Sequence, residues 1–211
     1  MKIKEIAFTL AVLACLATVT SAQSRLDTIN DHKVATEQFR AEKDARFGDP
    51  ATSPLTSLQL QQYDGLNYFP VDYAYKLTAK FIPDTEPRRE RLNLSDGGTV
   101  RLFNYGKVTF TLDGTEYTLS VFKNSDLPEF AGNPEQFFIP FKDATSGGST
   151  NGNGRYIMVN APQNVNQMTL DFNLALNPYG AYSDGIPSVL PPPGNNMAVP
   201  LPTGERKYDD R

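Results

Sequence analysis

Lys107–Lys123 reads KVTFTLDGTEYTLSVFK, and this stretch sets the fold class. Val108, Phe110 and Leu112 alternate with polar residues. Asp113-Gly114 supplies a two-residue turn, and Tyr117, Leu119 and Val121 resume the alternation on the far side. Period-two patterning around an Asp-Gly pair predicts an antiparallel hairpin with one buried face.

The same pattern extends in both directions. Upstream, Tyr73–Phe81 alternates apolar and polar residues as a half-buried strand, Pro83–Glu90 reads as a charged loop, and Arg91–Leu94 and Thr99–Asn104 flank an Asp96-Gly97-Gly98 turn. Downstream, Asn124–Glu135 reads as a loop. Phe137–Phe141, Arg155–Val159 and Met168–Asn173 follow as strands, and Met197–Leu201 closes the series after proline-rich, irregular chain. Roughly eight or nine short strands punctuated by turn signals predict a mainly β fold, an antiparallel sandwich or barrel-like sheet.

Leu26–Phe47 carries apolar Leu26, Ile29, Phe39 and Phe47 among many charges and stops at Gly48 and Pro50, which predicts an N-terminal helix. Ser57–Tyr63 predicts a short helix capped by Thr56. At the start, Met1–Glu5 is short and net-positive, Ile6–Val19 is uncharged, and Thr20-Ser21-Ala22 are small. That order predicts an export leader cleaved after Ala22, giving a periplasmic or extracellular protein with no transmembrane span after cleavage. Val12-Leu13-Ala14-Cys15 offers lipoprotein processing at Cys15 as the alternative. The expected organisation is a leader over 1–22, a helix and linker over 23–52, one β-rich domain over 53–207, and a tail over 208–211.

Composition narrows the chemistry. The net charge of −4 argues against nucleic-acid binding. Cys15 is the single cysteine, so the mature domain holds no disulfide, thiolate nucleophile or cysteine metal site. His32, the single histidine, lies between Asp31 and Lys33 on the predicted helix and reads as a solvated residue, which argues against histidine acid–base chemistry. Zinc would have one histidine and no mature cysteine to hold it, the oxygen ligands Asp143, Thr145 and Asn153 lack the spacing of a calcium loop, and neither a metal nor a cofactor is expected.

The remaining chemistry centres on Phe137–Tyr182. The loop Asp143–Gly154 is rich in glycine and hydroxyl residues, and it lacks the Gly-Lys-Ser/Thr ending of a P-loop. Its functional reading is an anion nest built from the N–H groups of Gly147, Gly148 and Gly154, with Arg155 as a planar donor. Its structural reading is a plain connection between strands. Arg155 is expected to pair with Asp171 between neighbouring strands. A sharper alternative pairs Asp143 with Asp171 as acid and base for glycoside hydrolysis. Asn177, Tyr179 and Tyr182 read as pocket lining or as core beneath the proline-rich segment.

Phe141-Lys142-Asp143-Ala144-Thr145-Ser146-Gly147, Gly154-Arg155-Tyr156, Asp171-Phe172-Asn173 and Asn177-Pro178 occur in this order. Ser53-Pro54-Leu55, Gly65-Leu66, Tyr68-Phe69-Pro70, Leu190-Pro191-Pro192, Asn195-Asn196 and Gly204-Glu205 flank them. In these segments, from about Phe39 to Lys207, the chain resembles the domain of unknown function family 1684. The resemblance implies a set of important positions rather than an activity. It also implies cysteines in many relatives at the positions of Gly180 and near Ser188, and tyrosine at that of Asn151; this chain has none of these. Two cysteines lost together match a lost disulfide or a lost metal site.

The sequence thus predicts an exported domain that binds a small polar or anionic ligand. The candidate ligand residues are Asp143, Thr145, Ser146, Gly147, Gly154, Arg155, Tyr156, Asp171, Asn173 and Asn177. A carboxylate-dependent hydrolase and a structural envelope protein are the alternatives.

Overall fold

The computed structural model describes the side chains of residues 22–123, 136–160, 166–183 and 185–208, and places residues 2–21 in the N-terminal helix. The leader therefore lies largely outside the described side chains, as does the predicted loop Asn124–Glu135. Among the described residues no helix is long and apolar enough to cross a membrane.

Six antiparallel strands form a nearly closed, barrel-like sheet in the order β5-β4-β3-β2-β1-β6. They are β1 (Lys76–Asn93), β2 (Thr99–Leu112), β3 (Thr115–Lys123), β4 (Gln136–Phe141), β5 (Arg155–Asn160) and β6 (Gln167–Asp171). The Lys107–Lys123 hairpin lies in β2–β3. Asp113 and Gly114 both take positive φ, 49° and 76°, as a tight hairpin turn demands. Val108, Phe110, Leu112, Leu119 and Val121 point inward with Phe141, Ile157, Leu170 and Phe172 to form the barrel core.

Fewer and longer strands form than the turn signals predicted. Pro83–Glu90 is not a loop but lies within β1, and Arg91–Asn93 ends that strand, leaving Leu94 in an isolated bridge to Val189. The prolines are accommodated where the β1–β2 register shifts between Pro83 and Arg88. A second shift, at Asn104–Gly106, falls between β2 and β3. Gly106 takes φ 143° there, and a Cβ would strike the Ile82 carbonyl. The shift in β1 inserts three residues and that in β2 one, and an odd insertion inverts side-chain parity. Beyond them Leu92 and Leu102 therefore face outward, into a second cluster with Phe122, Phe138, Tyr156 and Val189.

Three other expectations are corrected. Tyr73–Tyr75 is a 3-10 turn capped by Asp72, not strand. Phe172 and Asn173 belong to another such turn after β6, capped by Asp171. Met197–Leu201 is not a strand; Met197 and Leu201 enter the core from the C-terminal segment, which crosses one end of the barrel. The short helix α2 (Ser57–Gln61) carries a complete Thr56–Gln59 capping box.

The N-terminal helix α1 (Lys2–Gly48) packs on the barrel through an unexpected face. Its buried residues are His32, Thr36, Arg40, Lys43 and Phe47, spaced three and four apart, while Leu26 and Val34 are exposed. The docking stripe is therefore mostly polar.

Candidate functional site

Arg155 opens β5 and is fully buried, with its side chain beneath the C-terminal segment. Gly154 delivers it there: φ is 93°, and a Cβ would collide with the Phe141 carbonyl and approach the Pro191 ring. The guanidinium donates to the carbonyls of Leu201 (2.9 Å), Thr203 and Glu205 (3.2 Å). It pairs with Asp143 at 2.9 Å, both side chains having no exposed area. Burial pulls Arg155 down from its ordinary pKa, and Asp143 opposes that pull. The expected Arg155–Asp171 pair does not form; Asp143 takes the role because β4 and β5 are neighbours and their ends meet at Phe141–Arg155.

Asp143 has no spare acceptor for chemistry. Its Oδ1 receives Thr145 N–H at 2.8 Å, the Thr145 hydroxyl at 2.5 Å and Leu201 N–H at 3.2 Å. Ser146 Oγ accepts from Asp143 N–H at 3.2 Å. The glycine loop closes on itself in the same way. N–H groups of Gly147, Gly148 and Gly154 donate to the carbonyls of Thr150, Thr145 and Asn151, each at 3.1 Å. These donors are spent inside the loop, as in a plain connection between strands rather than an anion nest. The Tyr156 hydroxyl is likewise committed, donating to Val189 O at 2.9 Å.

Asp171 belongs to a separate network. Its Oδ2 accepts from His32 Nε2 at 2.6 Å, and Thr36 Oγ1 lies 3.3 Å from the same nitrogen. Its Oδ1 accepts from Asn173 N–H and Nδ2 at 3.0 and 2.9 Å. Asn173 in turn receives the Thr203 hydroxyl at 2.8 Å and bonds both backbone groups of Asp72. His32 is thus not a solvated helix residue. It is 6% exposed and packs edge-on against Tyr73, because the helix turns this face to the barrel.

The charged residues that the sequence reading passed over lie between these networks. Lys43 from α1 forms a buried ion pair with Glu205 and donates to the Tyr182 hydroxyl at 3.2 Å. Glu205 also accepts from the Tyr182 hydroxyl at 2.5 Å and from Asn177 N–H at 2.6 Å. Burial lowers the Lys43 pKa, with Glu205 opposing; burial and then Glu205 push Tyr182 well up. Arg40 donates to the carbonyls of Phe69 (2.8 Å) and Asn173 (3.2 Å). Asn195, fully buried, bridges β3 and β4 by bonding Ser120 N–H, Ser120 O and Pro140 O. The available signal was the i, i+4 spacing of Thr36, Arg40 and neighbouring Lys43, which only a polar partner surface makes meaningful.

Solvent reaches the polar chemistry at one edge of the barrel. β5 and β6 are the end strands of the sheet; among the described residues no ladder joins them, and the free edge of β5 is bridged at Tyr156 by Leu176, which lies beyond β6. Along this seam runs a cleft of about 420 Å³, lined by Lys76, Met158, Asn160, Gln167, Thr169 and Asp171 among others. Lys76 lies opposite Asp171 in the β1–β6 register and is exposed. Asp171 is the one residue of the sequence-derived set that lines this cleft. Among the described residues no group of three or more His, Cys, Asp or Glu stands together as a metal site.

The model of the family described as protein of unknown function (DUF1684) matches residues 61–206. The chain belongs to that family. The chain is also similar to the solution NMR structure of an uncharacterised protein from Haloarcula marismortui. That protein is 30% identical, with 85% of this chain and 96% of that one covered and a TM-score of 0.65. None of the curated proteins matches the chain.

Membership gives the sequence motifs a physical meaning in this DUF1684 chain. Asp143, Arg155, Asp171, Asn173, Asn177, Asn195 and Glu205 all sit in the buried networks that fasten the helix and the C-terminal segment to the barrel. The two positions at which the resemblance implied cysteines are also adjacent. In this chain a Cβ at Gly180 would clash with the Ile186 carbonyl and with Ser188 Oγ, so the backbone is packed here around glycine.

Proposed function

We propose that this DUF1684 protein is an exported, non-catalytic binding protein, and that its ligand is small and polar or anionic. The site is the cleft between β5 and β6 rather than the glycine loop. One observation carries this reading: the seam combines apolar walls with a few polar groups at a solvent-open edge, the composition of ligand pockets. Lys76 supplies an exposed cation there, whereas Asp171 is held by His32 and Asn173. Export is inferred from the leader pattern of Met1–Ala22. The hydrolase alternative finds little support, since Asp143 is sealed in its pair with Arg155 and has no exposed side-chain area for water. The structural alternative draws on the buried networks, whose residues bond mainly to one another, and the same experiment separates it from binding.

That experiment is a thermal-shift screen of sugars, organic acids and phosphates against wild type and Lys76→Ala. A ligand binding only the native state raises Tm by mass action. Binding predicts a rise for at least one anionic class and its loss in Lys76→Ala. A folded wild type that shifts with none of them removes the binding reading and leaves the structural one.

A further inference from the structure

The seam has two edges, and the hydrogen-bond pattern fixes which backbone groups face it. Tyr156 exchanges both backbone bonds with Leu176 (2.8 and 2.9 Å), so its N–H and C=O point away from β4. Backbone direction repeats every second residue along a strand. Met158 and Asn160 therefore also turn their N–H and C=O groups away from β4, into the seam. On the other edge, Phe81 N–H donates to Asn166 O, which directs the odd residues of β1 toward β6. Ala79 and Leu77 face Met168 and Leu170 across that ladder. Gln167 and Thr169, the alternate residues, turn their backbone groups outward to the same seam. All four residues line the cleft, and their outward backbone groups take no partner among the described residues.

We propose that the seam cleft receives an extended peptide segment, which adds as a strand against the β5 and β6 edges. This rests on the cleft being the ligand site. The occupant must offer donors and acceptors at two-residue spacing along its length, and an extended peptide backbone has that chemistry. Two unpaired edges facing one cleft would otherwise leave strand templates exposed. Lys76, at the Asp171 end, fits a carboxylate on the peptide, either terminal or acidic side chain. Met158, Val159 and Leu174 offer apolar contact for alternate side chains.

The test uses the full chain labelled with nitrogen-15. The probe is an acetylated pentapeptide of alternating valine and threonine with an unblocked C-terminal carboxylate; its two twins are methylated on alternate backbone nitrogens, one in each register. Addition as a strand predicts saturable amide shifts at Met158, Asn160, Gln167 and Thr169, and at least tenfold weaker binding of one methylated register. Thr169→Pro removes an N–H that faces the seam rather than the β1 ladder, so it should weaken binding at least tenfold while Thr169→Ala does not. Equal binding of every methylated form, or shifts confined elsewhere, overturns the proposal; because those arms leave the protein unaltered, they decide the matter even where Thr169→Pro fails to fold. An organic acid that perturbs the seam amides in a Lys76-dependent way while the peptide does not would overturn strand addition and leave the small-ligand reading intact. Silence from both removes both.

Discussion

A guanidinium buried without exposed area must find acceptors for its N–H groups. Arg155 finds four: Asp143 and the carbonyls of Leu201, Thr203 and Glu205. Arg155→Met leaves Asp143 buried without its cation and strips three carbonyls, so urea denaturation should show a loss of about 3–5 kcal/mol. Arg155→Lys keeps the charge but cannot span those acceptors, and should lose less. The sequence pointed to Arg155 and Asp143 as important, but assigned Arg155 the wrong partner. Pairing depends on which strands are neighbours, and no local pattern encodes that. The tyrosines make a second prediction at this scale. Burial, reinforced by nearby carboxylates, raises Tyr182, Tyr63 and Tyr68 above the ordinary phenol value of 10.0. Their contribution is complete below that pH and is lost as pH climbs toward the folded-state values. Lys43 is depressed below 10.5, so its contribution runs the other way and ends there. Stability should therefore fall above about pH 10.5. Tyr182→Phe should shallow that alkaline slope by up to about 1.4 kcal/mol per pH unit, read by urea denaturation at successive pH values.

At the scale of elements, the hairpin β2–β3 was legible because its pattern and its turn are both local. The length of β1 was not. Two prolines and a run of charges imitate a loop, and only the cross-strand register shows that the chain continues as strand through a bulge. Gly106 is the hinge of that arrangement. A side chain there meets a left-handed φ of 143° and the backbone of Ile82 and Pro83 at once. Gly106→Ala should destabilise by about 1–3 kcal/mol. Its amide-exchange signature should be local, with faster exchange around Leu92 and Leu102 than around Val108 and Phe110. Uniformly faster exchange would mean that the bulge is part of the barrel's own stability rather than a joint between two cores.

At the scale of the whole molecule, the question is how a helix with a polar docking stripe stays on a β-barrel. Helices usually bury an apolar face; of the apolar residues in this helix, Phe47 is buried while Leu26 is 60% exposed. Attachment rests on His32–Asp171, Arg40 to two carbonyls, Lys43–Glu205, and Phe47 packed on Tyr182. Each partner comes from a distant part of the chain, so the stripe looks like an ordinary solvated helix until the barrel is in place. Buried pairs contribute little net stability when intact but are costly to break on one side. Lys43→Met should therefore cost about 3–5 kcal/mol by leaving Glu205 charged and unpaired. Adding Glu205→Gln, which keeps an acceptor for Asn177 and Tyr182, should recover about 1–3 kcal/mol of it as a coupling energy. Hydrogen exchange supplies the second readout. If the polar stripe is the fastening, Lys43→Met releases the amides of residues 30–48 while β2 and β3 remain protected. Simultaneous loss of protection in helix and barrel would show instead that the two fold as one unit, with the helix an obligatory wall of the barrel end rather than an element docked upon it.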